Sequence, residues 1–243
     1  MATPRFHCPH KLHAGQALDL PAGAAHHAAR VLRLRVGETV TLFNGAGGEY
    51  AAVIDAIDRE RVRVTVERHM PLERESPLKV TLIQGVSARE RMDIAIQKAV
   101  ELGVERIAPV MTERSIVRLS GERADNRVRH WQQVVIAACE QCGRNRVPAV
   151  DALLPFVTWL DKTAAAGARW MLHPDAEHPL RELREPVGPI ELLVGPEGGL
   201  TAAEIAAAID AGFTPVRLGP RILRTETAAP ALLAAAQALW GDF

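Results

Sequence analysis

The sequence predicts an α/β protein in two parts: a small β-rich barrel over residues 1–73, then a mostly parallel α/β sheet over residues 74–243. Three observations carry this. Apolar residues alternate in the first third, as on strands buried on one face. After Leu78, short apolar runs alternate with helical stripes, the pattern of a parallel sheet. Between the two, residues 70–77 hold two prolines and three charges, a linker composition.

In the first part a short helix, Ala24 to Leu34, precedes three strands: Glu38–Phe43, Glu49–Ile54 and Arg61–Val66. Asn44 to Gly48 reads as the hairpin turn between the first two. In the second part Lys79–Gln84 is an apolar strand, and Arg89–Gly103 a helix with Met92, Ile96, Ala99 and Leu102 or Gly103 on one face. Arg106–Val110 is a strand. Asp125–Gly143 is a helix whose Val128, Trp131, Val135, Ala138 and Cys142 keep a 3-4 spacing. Arg169–His173 and Ile190–Val194 are strands. Thr201–Ala211 is a helix with a capping box, Thr201 and Glu204, and a glycine stop at Gly212. Thr214–Leu218 is a strand, and Thr227–Trp240 a last helix capped by Thr227, with Pro230 in its first turn.

Composition excludes several classes. Of 243 residues, 48% are apolar and 24% charged, as in ordinary globular chains. The nearly apolar stretch Ala228–Trp240 is shorter than the ~20 residues that cross a bilayer. The N-terminus lacks the apolar core of a signal peptide. Three cysteines, an odd number, do not make a disulfide framework, so the expectation is a reducing cytoplasm. Net charge is zero, so no whole-chain field announces nucleic acid. The basic residues are 25 Arg against 4 Lys. That bias suits phosphate recognition but equally reflects a GC-rich genome.

Cys139 and Cys142 have zinc-ligand spacing, yet they lie late in a helix with no second pair, and Cys142 continues the apolar stripe. The nine histidines form no His-Glu-x-x-His pattern, so no metal is expected. Gly195-Pro196-Glu197-Gly198-Gly199 is more informative. It follows an apolar strand and precedes a capped helix, where ligands of open α/β sheets bind. It is neither a Walker loop nor a dinucleotide fingerprint, and by itself it is a ligand loop or a tight structural turn. A second strand-to-helix junction, Leu218 to Ala228, carries Arg221, Arg224 and Glu226, more charge than a plain connector needs. Two such loops on neighbouring strands would form one pocket.

These two motifs together resemble the knotted SPOUT methyltransferases, and within them the family of 16S ribosomal RNA (uracil-N3) methyltransferases. Other pieces match in order: Pro4-Arg5-Phe6, Gly45-x-Gly47-x-Glu49-Tyr50, Gln97-Lys98-x-x-Glu101-Leu102-Gly103-Val104, Glu113-Arg114-Ser115 and Glu140-Gln141-x-x-Arg144. The resemblance covers essentially the whole chain.

The resemblance implies a PUA-like RNA-binding barrel at residues 1–73 and a SPOUT domain with a deep trefoil knot at residues 74–243. It implies S-adenosylmethionine as cofactor, a homodimer, and the 30S ribosomal subunit as partner. The target would be N3 of uridine 1498 of 16S rRNA. Backbone groups near Leu218, Gly219, Ile222 and Leu223 would hold the adenine, with Gly195, Pro196, Glu197 and Gly198 as the other wall and Thr227 and Ala228 beside them. Leu172 either closes the apolar side or is plain core. Arg224 would orient or stabilise the uracil, with Glu226 fixing Arg224 or Thr227; the alternative is an ordinary loop salt bridge. Arg5, Arg114 and Arg144 are the RNA-contact candidates. Lys98 and Glu101, three apart on a helix, are expected to pair with each other. Two other readings compete: a non-catalytic ribosome-assembly factor with the same fold, and a SPOUT enzyme acting on tRNA.

Overall fold

The computed structural model describes residues 3–59, 61–162 and 167–243. The chain divides into two compact units: Met1–Glu75 with Ile136–Val147, and Ser76–Val135 with Pro148–Phe243.

The first unit is built on a five-stranded sheet. Its strands are β1 (Arg5–His7), β2 (Ala17–Asp19), β3 (Thr39–Phe43), β4 (Glu49–Asp58) and β5 (Arg61–Met70), in the order β1-β3-β4-β5-β2. The β1–β3 pairing is parallel and the others are antiparallel. Among the described residues the ladder is not closed between β1 and β2. Register shifts between Ala51 and Ala52 and between Ile54 and Ala56 bend the long β4–β5 hairpin around its core. Alternation makes that core: Val62, Val64 and Val66 of β5 point inward with Val40, Leu42, Ala52, Ile54 and Phe6.

The helix expected over residues 24–34 is shorter and less regular. α1 spans Ala22–His26 and runs into a π-helical turn, His27–Val31, closed by the Leu32 N–H donating to the His27 carbonyl. The wider turn keeps Ala25 and Ala28 in the core while Val31 and Leu32 face outward.

The segment 136–147 joins this unit through buried polar contacts. Glu140 accepts the His7 N–H, Asn145 takes the Arg5 guanidinium on Oδ1 and donates to the Leu72 carbonyl, and Arg144 pairs with Glu75 at 2.5 Å. These groups lie more than sixty residues from their partners in sequence, so no local pattern announces them.

The second unit is an all-parallel sheet covered on both faces. Its strands are β6 (Val80–Gly85), β7 (Arg106–Met111), β8 (Ala149–Val150), β9 (Leu154–Pro155), β10 (Ala168–Leu172), β11 (His178–Pro179), β12 (Ile190–Val194) and β13 (Thr214–Arg217). The order is β11-β13-β10-β12-β6-β7-β8, with β9 also on β7. The helices are α2 (Arg89–Glu101), α3 (Gly121–Cys142, shared with the first unit from Ile136 onward), α4 (Phe156–Lys162), α5 (Ala202–Asp210) and α6 (Thr225–Trp240). Strand residues of both parities are buried, Leu82 and Ile83 or Leu192 and Leu193, as a doubly covered parallel sheet requires. Ile83, Val110, Met171 and Leu193 meet Phe156, Trp159, Ala208 and Phe213 in one cluster.

β12 forms late in the chain yet inserts between β6 and β10. Its ladder partners set Val194 beside Gln84, while Leu172 of β10 pairs with Val216 of β13. The carboxyl ends of β6, β10, β12 and β13 therefore lie together, at the place where the strand order reverses.

α6 begins two residues earlier than expected. Arg224 is its N-cap residue and makes no side-chain cap bond, so Thr227 is an exposed first-turn residue and not the cap. Pro230 accordingly lies inside the helix and not in its first turn. The capping box on α5 forms as expected: Thr201 Oγ1 accepts the Glu204 N–H and Glu204 returns the bond to the Thr201 N–H.

Candidate active site

At this edge of the second unit lies a cleft of about 600 Å³. One wall is the loop after β12. Its turn is closed by the Gly199 N–H donating to the Pro196 carbonyl, and Gly199 adopts the left-handed conformation at φ 69°. The other wall is the loop after β13, which turns at Gly219 with φ 92°. Leu172, Leu218, Ile222 and Leu223 supply apolar side chains, and Ile222 is 84% exposed.

Most residues expected at the cofactor are on this lining: Leu172, Gly195, Pro196, Glu197, Leu218, Gly219, Ile222, Leu223 and Ala228, with Arg224 and Glu226. Gly198 and Thr227 are not. Gly198 faces Arg114 instead: a Cβ there would lie 2.9 Å from Arg114 Cβ, so glycine is needed for that approach. Thr225, two residues earlier than Thr227, takes the place expected of it.

A buried polar knot of side chains fastens the walls. Thr225 Oγ1 donates to the Gly195 carbonyl at 2.9 Å and accepts from Gln84 Nε2 at 3.1 Å, with Ser87 Oγ 3.4 Å away. Gly85, at the end of β6, is the glycine this packing demands. A Cβ there would lie 2.6 Å from Pro196 Cδ and 2.7 Å from Pro196 N. Sequence reasoning passed over Gln84, Gly85, Ser87 and Thr225. A glutamine ending an apolar strand, followed by Gly-x-Ser, was the available signal.

Arg91 is the other residue that sequence reasoning missed. It stands in the first turn of α2 and reaches Glu197 Oε1 at 3.2 Å and Glu226 Oε1 at 3.8 Å. Glu197 Oε1 also accepts the N–H of Ala88, the N-cap residue of α2. Burial pushes the Glu197 carboxyl up, but that N–H and the Arg91 guanidinium outweigh it and hold it below the usual carboxylate range. The pairing expected between Glu226 and Arg224 is therefore absent. Glu226 belongs to Arg91, and Arg224 is exposed at the cleft with no ion pair among the described residues. Glu197 Oε2 and Glu226 Oε2 are buried with no donor among the described residues.

The arginines expected at RNA are engaged internally. Arg5 is 2.5 Å from Glu49 and also bonds Asn145, and Arg144 is buried on Glu75. Arg114 donates to the carbonyls of Gly198 and Leu200 and so braces the glycine loop. The same loop is held by Glu204, whose Oε1 accepts the Glu113 N–H. Cys8 and Cys139 are buried hydrophobes whose thiols burial pushes up to about 12. Lys98 and Glu101 pair with each other at 2.8 Å. Among the described residues no group of three His, Cys, Asp or Glu is placed to hold a metal, and no helix is long and apolar enough to cross a membrane.

A family model for the RNA methyltransferase domain matches residues 74–237, and one for the RNA methyltransferase PUA domain matches residues 20–67. Fold, cleft and matches together define the class as the RNA methyltransferases. The ribosomal RNA small subunit methyltransferase E of Buchnera aphidicola is 31% identical over 240 residues, covering 99% of this chain and 95% of the relative. That of Mycobacterium bovis is 36% identical over 214 residues, covering 86% and 81%. Among solved structures, the methyltransferase E of Neisseria gonorrhoeae bound to S-adenosyl methionine superposes with a TM-score of 0.93 at 44% identity, with 100% of both chains covered. A putative methyltransferase of Legionella pneumophila in complex with the same cofactor gives 0.95 at 38%, again with full coverage of both. This chain belongs to the ribosomal RNA small subunit methyltransferase E family.

Proposed function

We propose that this protein transfers a methyl group from S-adenosylmethionine to N3 of one uridine of 16S ribosomal RNA, in the 30S subunit. The observation that carries this reading is the cleft where the loops after β12 and β13 meet. Its 600 Å³ falls in the range of small-molecule sites. The residues present fit the cofactor: an apolar wall of Leu172, Leu218, Ile222 and Leu223, backbone opened at Gly195 and Gly219, and two carboxylates with an oxygen each to spare.

When bound, S-adenosylmethionine supplies an electrophilic methyl group on a sulfonium. The chain's own contribution begins with orientation. The Thr225–Gln84–Ser87 contacts and the Arg114 and Glu204 braces fix both walls before any ligand arrives, which is where catalysis by positioning starts. Uridine N3 carries a proton at neutral pH, and its loss to solvent water leaves negative charge on the ring. Arg114, Arg221 and Arg224 line the cleft with no ion pair among the described residues; Arg114 is taken up by the carbonyls of Gly198 and Leu200, and of the other two Arg224, at the start of α6, is the one we assign to stabilise that charge. Arg91 is a positioning residue: it holds Glu197 and Glu226 so that their second oxygens accept hydroxyl or ammonium donors.

The same reading makes residues 1–73 the PUA-like RNA-binding domain and residues 74–243 the methyltransferase domain, working in the cytoplasm as a homodimer. It includes a trefoil knot in the second domain, an exception to the rule against threaded chains. The insertion of β12 between β6 and β10 and the packing of α6 on α2 support it.

The test is to incubate the protein with labelled S-adenosylmethionine and unmethylated 30S subunits and to map the labelled nucleotide. Label on N3 of a single uridine of 16S RNA is the expected result. Cofactor binding with label only on tRNA, or no cofactor binding at all, overturns the proposal.

A further inference from the structure

Among the described residues, two non-glycine residues have left-handed backbone, and both are arginines: Arg33 at φ 54° and Arg59 at φ 39°. A side chain there is strained against the backbone, and arginine has none of the local hydrogen bonding that lets Asn or Asp tolerate it. Such strain gathers at functional positions. The two residues stand on adjacent loops of the first unit. Arg33 follows the π turn after α1, and Arg59 sits between β4 and β5. Arg30 joins the loops by donating to the Arg59 carbonyl at 3.5 Å. The Gly37 and Ile54 N–H groups lace residues 37–38 along β4.

Arg35 and Arg61 complete the group. All five arginines are exposed, and none forms an ion pair among the described residues; Arg63 and Arg68 of β5 share that state, whereas Arg5, Arg74, Arg144 and Arg146 of the same unit each take a carboxylate. Among the described residues the nearby carboxylates form no ion pair with them: Glu38 accepts the backbone N–H of Arg35, Asp55 accepts Thr65 Oγ1, and Asp58 lies opposite Arg61 in the ladder. Val31, Leu32 and Val36, next to Arg30, Arg33 and Arg35 in the chain, are exposed.

We propose that this strained edge, Arg30, Arg33, Arg35, Arg59 and Arg61 with the apolar side chains next to them in the chain, is the surface by which the first unit grips the phosphate backbone of ribosomal RNA. Guanidinium groups match phosphate in fork geometry, and the exposed apolar side chains suit ribose and base faces. The assignment rests on the RNA methyltransferase reading and replaces Arg5 and Arg144 as its RNA contacts.

The test compares the full-length protein with Arg33→Asn/Arg59→Asn, whose asparagines accept left-handed backbone, and with Arg35→Ala/Arg61→Ala, whose backbone is ordinary. Arg33→Lys/Arg59→Lys is the charge-keeping control. Binding to deproteinised 16S RNA is measured against salt, alongside S-adenosylmethionine binding and methyl transfer at saturating RNA. Each phosphate contact contributes about 0.7–0.9 to the slope of log affinity against log salt, so each neutral double variant is expected to flatten the slope by about 1.4–1.8. Affinity at low salt falls about tenfold, with cofactor binding and saturated turnover unchanged, and the lysine variant restores the slope. An unaltered slope in both neutral variants overturns the assignment, as does lost binding to anionic vesicles with RNA affinity intact. An unaltered protein that binds no 16S RNA overturns the methyltransferase reading along with it.

Discussion

Glu49 shows what a single residue does here. Its Oε2 receives Arg5 at 2.5 Å, Arg74 at 3.1 Å and Asn145 at 3.3 Å, and it is 5% exposed. Burial raises its carboxyl, but the hydrogen bonds and charges of Arg5 and Arg74 outweigh this and lower it. Breaking a buried pair strands the remaining charge, so Glu49→Gln is expected to cost about 3–5 kcal/mol in denaturant unfolding at pH 7. Because the folded pKa is depressed, the ionised Glu49 contributes above the unfolded carboxylate value of ~4.3 and loses its contribution as pH falls through the folded value. The gap between the variant and the parent should therefore narrow below about pH 4. At the cleft, Arg224→Ala is expected to lower kcat by roughly 10²–10³ with cofactor affinity unchanged in calorimetry. Arg91→Met should instead weaken cofactor binding and lower kcat/KM, with Arg91→Lys partly restoring both.

At the scale of elements, the strand-to-helix junctions decide the site. β6 ends in Gly85 because the Pro196 turn after β12 occupies the space a side chain would take. Gly85→Ala must push two loops apart, so a loss of about 1–3 kcal/mol in stability is expected, together with weaker binding of S-adenosylmethionine in calorimetry. The capping box on α5 was legible in the sequence because capping is local, set by Thr201 and Glu204 three residues apart. The second task of Glu204, holding Glu113 from ninety-one residues away, was not. Nor was the start of α6: Thr227 has the residue type of a cap, but Thr225 is drawn inward by Gln84 and Gly195, and the helix begins there. Nor was the π turn after α1, which the apolar spacing of Ala25 and Ala28 does not distinguish from a regular helix.

At the scale of the whole molecule, ligand binding and folding are linked. S-adenosylmethionine at about 100 times its dissociation constant should stabilise the protein by about 2.7 kcal/mol, read as a raised melting temperature. A protein whose melting temperature does not move would sink the cofactor assignment. Thiol chemistry checks the packing of the first unit. With Cys8 and Cys139 buried and their thiols at about 12, a thiol reagent at pH 8 should leave both unmodified until denaturant is added.

The sequence by itself determined the strand and helix periods, the α/β class, the capped helix, and the two glycine- and arginine-bearing loops that line the cleft. All of these follow from residues within a few positions of one another, where periodicity and turn chemistry act. Only the tertiary structure decided the rest: that residues 136–147 belong with the first unit, that Arg91 takes Glu226 from Arg224, that Arg5 and Arg144 are spent on Glu49 and Glu75, and that Thr225 lines the cleft where Thr227 was expected. An arginine looks the same in sequence whether it meets a buried carboxylate or solvent. The choice between them rests on which distant carboxylate the fold brings within about 4 Å, and on whether water is excluded there.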